Sequence, residues 1–513
     1  MRNILNSLFR LALGSLILMG FYQCLPGLNP FSLWLDDLWV AYLAKSASIS
    51  YLFAGKAPCP PGFILMLKAV GAILGDGHWQ LQLIPLVGYF AQILIIYWLV
   101  QRTLCNRALG FFAATLLSAN PILALYSLRI KQFSLDSLVT LVILSLVVSC
   151  LRHPRVKTFL LMCSVLAATL LVSFTSIFLS AILVNACAYH FLRTLQRSEK
   201  KSRKVVFFSA VIYNLIICAI YLILIRHRQT SSLLAYWQDF YLPVNNFSAA
   251  ILFLKDTGIQ FLSGAFPLKL SWLVLFIPVG IYALINQPRE RALGWGLLLF
   301  YTAIPAASVI KAYPLGGIRT DIFSYPVSIF VATFGIWLLT RKFRAFSVFA
   351  AVIALCFFVN EVIHRQLGYP ESGDKAVVQR VNATIQEKDG LIVYPWANWA
   401  IGYYGKWPTQ IVEVEDSTNG FYVHLKRPYT LVLHERYNGI EFRAHPSVIQ
   451  NQLSPFLANG YNRLVYIASP INAITYKPHE WIISYIMSQG YAIQLSKTYH
   501  NADFIVFKRR TNK

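Results

Sequence analysis

Charge is what this sequence has least of. Asp, Glu, Lys and Arg make up 13% of its 513 residues, against about 25% in an ordinary soluble domain. Acids are the scarcest and are unevenly placed: residues 1–363 hold ten of the 21, and residues 364–513 hold eleven. With 57% hydrophobic residues, the chain is neither disordered nor wholly soluble. Cysteine is sparse too. Cys150, Cys163, Cys187, Cys218 and Cys356 lie inside apolar runs, Cys105 belongs to a basic loop, and none follows Cys356. The last 150 residues are therefore not a disulfide scaffold, although Cys24 and Cys59 could meet outside the membrane. No CxxC or HExxH pattern occurs. Nothing resembling a zinc finger, an RNA-recognition signature or a basic heptad array accompanies the net charge of +24, so nucleic acid is not an expected partner. Internal repeats and low-complexity linkers are also absent.

What is present is a series of long apolar runs. The first, after Arg2 and Arg10, resembles a signal peptide without a small-x-small cleavage site and is read as an uncleaved span. Others lie near 80–100, 108–126, 134–151, 158–172, 174–192, 205–225, 270–286, 293–310, 322–340 and 345–362, each near the roughly 20 residues that cross a bilayer. Eleven spans put the N-terminus in the cytoplasm and the C-terminus outside, as in a plasma or inner membrane protein. Charge supports this orientation. The cytoplasmic segments, Arg197 among them, hold 18 bases and two acids, Glu199 and Glu290, which is the positive-inside pattern. Residues 61–75 are not counted as a span. They are short, follow Pro58, Pro60 and Pro61, contain Lys68, and read as a surface-lying part of a long first outer loop, 27–79.

This divides the chain into a membrane body, 1–363, and a soluble extracytoplasmic region, 364–513, entered through HRQLGYP at 364–370. In the latter, 374–387 suits a helix, as does 479–489 before Gly490. The runs LIVYP after Gly390, 429–434, 464–468 and 503–508 suit strands, which together predict an α/β layer structure. No glycine fingerprint follows the first strand, so a nucleotide site is not expected. The region is read as a cover over the outer mouth of the membrane body.

Three polar clusters fall on the same predicted face. The first is Trp34-Leu-Asp36-Asp37-Leu-Trp39. Adjacent carboxylates beside a bilayer are costly; one could take the proton of an acceptor hydroxyl while the other holds the acceptor, a divalent metal or its partner. Alternatively, both open the following helix as N-terminal acids. The second, Tyr126 to Asp136, contains Arg129 and Lys131, which could hold a phosphate leaving group or simply snorkel to headgroups. The third, Lys311 to Asp321, offers Gly316-Gly317, Arg319 as a planar fork, and Asp321 as its orienting partner. A structural Arg319–Asp321 turn is the competing reading. His78, Trp79 and the aromatics Tyr236, Trp237 and Tyr241 carry weaker signals; a membrane-interface belt accounts for the last three. Trp396, Trp399, Tyr403 and Tyr404 read mainly as core.

The order of these pieces resembles the GT-C membrane glycosyltransferases. Within that group it is most similar to bacterial relatives of protein O-mannosyltransferases and lipid A aminoarabinose transferases. The residues that carry the resemblance are Trp34-Leu-Asp36-Asp37, Pro60-Pro61-Gly-Phe-Ile-Leu, Leu74-Gly75, the Tyr126–Asp136 stretch and Gly316–Pro326. It implies a polyprenyl-phosphate sugar donor, a lipid, polysaccharide or protein acceptor, and inverting transfer on the extracytoplasmic side. Asp36 would be the catalytic acid position and Asp37 its companion. Lys131 and Arg319, with Arg129 beside them, would meet the donor phosphate; Asp321, Tyr126 and His78 would be supporting residues. Two departures stand out. Many relatives have Glu where Arg129 stands, and Arg where this chain has Gln80 and Gln82. A flippase for lipid-linked glycans, or an inactive binding protein, are the alternatives. The enzymatic reading requires Asp36 to meet Lys131 and Arg319 in space.

Overall fold

The computed structural model describes the chain except for residues 1, 55, 56, 58, 196–198, 227–233, 235, 236, 318, 343, 366, 371, 414–420, 434–445, 470–475 and 511–513. Pro58, Arg197 and Tyr236 lie outside the described residues. Among those described, nine helices are long and apolar enough to cross a membrane: Ser7–Gly27, His78–Leu104, Phe133–Arg152, Ser176–Thr194, Lys200–Ile225, Leu268–Asn286, Arg291–Val309, Asp321–Thr340 and Ala345–His364. The chain is an integral, multi-pass membrane protein.

The two remaining expected spans differ from the others. The 108–126 run is two helices, Arg107–Ser118 and Pro121–Ser127, bent 64° apart. Asn120 makes the break, because its side-chain oxygen accepts the Ile122 and Leu123 N–H groups, both at 3.0 Å, and opens a new helix at Pro121. The 158–172 run is the 14-residue helix Val156–Thr169, about 21 Å long at 1.5 Å per residue and short of the roughly 30 Å hydrocarbon core. Pro61–Leu74 is equally short. Lys68, which interrupts its apolar run, donates to the carbonyls of Ala44 and Ala47, both at 2.9 Å, closing the end of the Leu35–Ser46 helix.

The C-terminal region carries strands β1 (Gly390–Val393), β2 (Thr409–Glu413), β3 (Phe421–Leu425), β4 (Thr430–Val432), β5 (Arg463–Ala468), β6 (Tyr491–Tyr499) and β7 (Ala502–Arg509). Five form one sheet in the order β4-β1-β5-β7-β6, while β2 and β3 pair separately. β4, β1 and β5 run parallel, and β7 is antiparallel to β5 and β6. The unbroken apolar runs on β1 and β5 match strands buried on both faces. The expected helices appear as Asp374–Thr384 and Tyr476–Ser488, and Gly490, at φ 86, ends the second in the left-handed region that glycine favours. Strand β6, the β2–β3 hairpin and the short helix Asn398–Tyr404 were not anticipated. β6 lies at the edge of the sheet and is largely exposed, so it lacks the alternating pattern that marks a half-buried strand.

Candidate active site

The Leu35–Ser46 helix begins after extended Trp34, and no side chain caps it. Asp36 and Asp37 occupy its first turn, where the helix dipole favours acids, yet each faces an arginine. Arg319 Nη1 lies 2.9 Å from Asp36 Oδ2, and both side chains are about 30% exposed. Arg129 Nε lies 2.6 Å from Asp37 Oδ2, and that pair is buried.

Local geometry brings the bases there. After Ser127 the chain leaves helical form, and the Lys131 N–H closes a tight turn on the Arg129 carbonyl at 2.8 Å. Both side chains consequently point inward, 8% and 7% exposed, instead of snorkelling outward. The Lys131 ammonium sits 5.3 Å from the centre of the Trp39 ring, a cation–π contact. It makes no hydrogen bond or ion pair with any described residue. Ser137 donates to the Ile322 carbonyl at 2.9 Å, pinning the helix after Lys131 to the turn after Arg319. Gly316 supports the same loop: at φ +81, a Cβ there would strike the Thr257 side chain. The Arg319 guanidinium lies 5.1 Å above the Trp237 ring.

Burial works against the Asp36 anion, but the charges of Lys131, Arg319 and Arg129 outweigh it and hold the carboxyl below its ordinary value. For Asp37 burial prevails over Arg129 and the Tyr369 hydrogen bond, and its carboxyl is pushed up. Tyr126 lies within the field of Arg129, Arg319, Asp36 and Asp37.

The expected Arg319–Asp321 pairing is not formed. Asp321 is fully buried, and its carboxylate accepts from Thr320 at 3.3 Å; the arginine expected to pair with it reaches Asp36 instead. His78 bonds the Pro30 carbonyl at 2.6 Å and the Tyr404 hydroxyl at 3.1 Å, tying the first long loop to the C-terminal region. Gln82 is engaged with backbone, donating to Gly27 and Leu128 carbonyls and accepting from the Asn29 N–H. Cys24 and Cys59 are not joined by a disulfide. No three His, Cys, Asp or Glu side chains converge into a metal-binding group among the described residues.

The acid-bearing helix is held from its other side by the C-terminal region. Trp39 stacks on Trp399, centroids 5.7 Å apart; Tyr42 donates to Thr409 at 3.0 Å; and Leu33 N–H donates to Tyr404 at 2.9 Å. Tyr369 was missed by sequence reasoning. It accepts the Trp34 N–H at 3.0 Å and donates to Asp37, and its only sequence signal was proximity to the exit of the last span.

This arrangement, a helical membrane body with an acid-bearing loop helix held by a strand-containing region, has the fold of solved ArnT structures. Among the similar solved structures are two of ArnT from Cupriavidus metallidurans. The apo form superposes with a TM-score of 0.55 at 12% identity, covering 98% of each chain. The form bound to undecaprenyl phosphate gives 0.57 at 11% identity, covering 96% of this chain and 97% of that one. By sequence, no protein-family profile and no curated protein matches the chain.

Proposed function

We propose that this protein is a glycosyltransferase that moves a sugar from a polyprenyl-phosphate donor to an acceptor on the extracytoplasmic side of the membrane. The observation that carries this reading is the meeting of Asp36 with Arg319 at 2.9 Å, inside the field of Lys131. A carboxylate and two cations thus come together from three distant stretches of chain, which supports a base beside a phosphate site. The ArnT structure that contains undecaprenyl phosphate supports the lipid-phosphate part of the donor.

Asp36 takes the proton of the acceptor hydroxyl as its oxygen attacks the anomeric carbon. The bond from that carbon to the phosphate oxygen breaks with its electron pair, so the products are glycosylated acceptor and polyprenyl phosphate. One displacement inverts the carbon. Lys131 and Arg319 hold the departing phosphate, whose charge grows in the transition state. The Asp36–Arg319 pair is partly open to solvent, so an arriving phosphate can compete for Arg319 and draw it away. Losing that cation raises the proton affinity of Asp36, making it a better base only once donor is bound. Asp37, held by buried Arg129, stays out of the chemistry.

The test is the full-length protein in liposomes with polyprenyl-phosphate sugars, and mass spectrometry of lipid-linked sugars and glycans in cells with and without it. Asp36→Asn should match the deletion, with transfer reduced at least about 100-fold. Full transfer by Asp36→Asn would refute the base assignment, and no transfer by the natural protein, with lipid-linked sugar moved across the bilayer instead, would favour a flippase.

A further inference from the structure

Tyr369 occupies the connection between the last long helix and the C-terminal sheet. This connection runs back along the first span, where Leu367 N–H donates to the Gln23 carbonyl at 3.3 Å and the Gln23 amide donates to Arg365 at 3.4 Å. A Cβ on Gly27 would meet both Leu128 and the Leu367 carbonyl, so only glycine lets the three segments converge. The result lays the Tyr369 phenol, 9% exposed, on Asp37. Its oxygen accepts the Trp34 N–H at 3.0 Å, and its hydroxyl donates to Oδ2 of Asp37, the oxygen that also accepts from Arg129 at 2.6 Å. The Arg129 guanidinium lies 5.8 Å from the centre of the same ring. Asp37 is fully buried, and its Oδ1 has no hydrogen-bond partner among the described residues.

We infer that Tyr369 is a positioning residue: its hydroxyl keeps Asp37 as the anion that balances Arg129, and that pair fixes the turn carrying Asp36. The groups facing Asp37 are Asp36 on its own helix, Arg129 and Lys131 on the following turn, Tyr126 before it, and Tyr369 from the connection. Burial alone favours a protonated Asp37. Two donors on one oxygen oppose this, and only one of them, the phenol, comes from the C-terminal side. If Asp37 takes up a proton, Arg129 loses its counter-ion in a buried site. The other carboxylate within its field is Asp36, which would then be drawn towards Arg129 and away from an acceptor. The influence on Asp36 rests on the proposed transfer reaction; the hold on Asp37 does not.

The full-length chain, labelled with carbon-13 aspartate in lipid nanodiscs, would be titrated by infrared difference spectroscopy. A protonated-carboxyl band absent from Asp37→Asn identifies Asp37. In Tyr369→Phe that band should appear about one pH unit higher, the size expected for one lost hydrogen bond to a charged group. With 3-fluorotyrosine at position 369, a stronger donor, it should appear at lower pH. A band unmoved by either replacement overturns the inference, and the fluorotyrosine protein alone decides it if Tyr369→Phe does not fold. In the transfer assay, Tyr369→Phe should lower kcat about tenfold and shift the acid limb upward at unchanged donor KM. A raised KM with unchanged kcat would instead place Tyr369 against substrate and overturn the positioning role. Should the natural protein transfer no sugar, the proposed function fails, while the infrared titration still decides what Tyr369 does.

Discussion

Trp39 of the first long loop and Trp399 of the C-terminal region lie face to face, 5.7 Å between centroids and 23° between planes. Tyr42 packs on the same Trp399 ring at 6.2 Å. The helix that carries Asp36 is therefore part of two structures at once. Its acids face Arg129 and Arg319 of the membrane body, and its aromatic side is bound to the sheet region. Such a stack contributes about 0.5–1.5 kcal/mol beyond the area it buries.

Replacing Trp399, 2% exposed, by alanine should cost about 3–5 kcal/mol, read as a lower denaturation midpoint of the full chain in detergent. Hydrogen exchange along Leu35–Ser46 should rise with it. Trp399→Phe should recover part of both. An exchange pattern unchanged in Trp399→Ala would show that the stack does not hold the helix.

Lys131 and Arg319 are expected to contribute separately to phosphate binding. Undecaprenyl phosphate titrated into the purified protein, followed by tryptophan fluorescence, should bind Lys131→Ala and Arg319→Ala at least about tenfold more weakly, as loss of a charge-assisted contact requires. Arg319→Lys should not restore affinity fully, because lysine lacks the planar fork and is more strongly hydrated. Equal affinity in all three variants would remove both residues from the donor site.

A pH dependence is built into the C-terminal region. His479 Nε2 lies 2.9 Å from Asp503 Oδ2, and Tyr466 bonds the other ring nitrogen at 3.1 Å. Burial opposes the Asp503 anion, but hydrogen bonds from His479 and Thr498 and the His479 charge outweigh it, holding the carboxyl below its ordinary value. A carboxyl lowered in the folded state adds stability above the unfolded value, about 3.9. That stability is lost as pH falls through the lower folded value. Asp374, pushed up by burial, acts with the opposite sign. Asp503→Asn should therefore reduce stability at neutral pH and flatten its decline in acid, measured by unfolding of the full chain from pH 3 to 7. An unchanged acid slope would mean that Asp503 does not contribute it.

Much of the membrane body was legible because its signals are local. Run length and apolar content mark a span wherever it sits in the fold. The exceptions have local causes that hydropathy does not register: Asn120 caps a helix in mid-run, and Val156–Thr169 stops short. The Asp36-Asp37 pair was visible because two acids side by side are rare in so apolar a stretch. Their partners were not. The sequence groups Arg129 with Lys131 as a phosphate ligand; the structure adds that it is the buried counter-ion of Asp37. Arg319 was given to nearby Asp321, yet it crosses to Asp36, 283 positions away. Pairing between distant charges follows from how helices stack, and composition carries no record of that stacking.

The sequence by itself determined that this is a membrane chain with a strand-bearing C-terminal region and an acid pair in its first long loop. Each of these follows from apolar run length, strand-like patterning or the cost of charge near lipid. Only the tertiary structure decided which base meets which acid, that Lys131 stays free of ion pairs among the described residues, and that Tyr369 and Trp399 hold the acid-bearing helix from the far side. Those outcomes depend on a few ångströms between segments far apart in the chain, and direct contacts at that range set the electrostatics of a buried site.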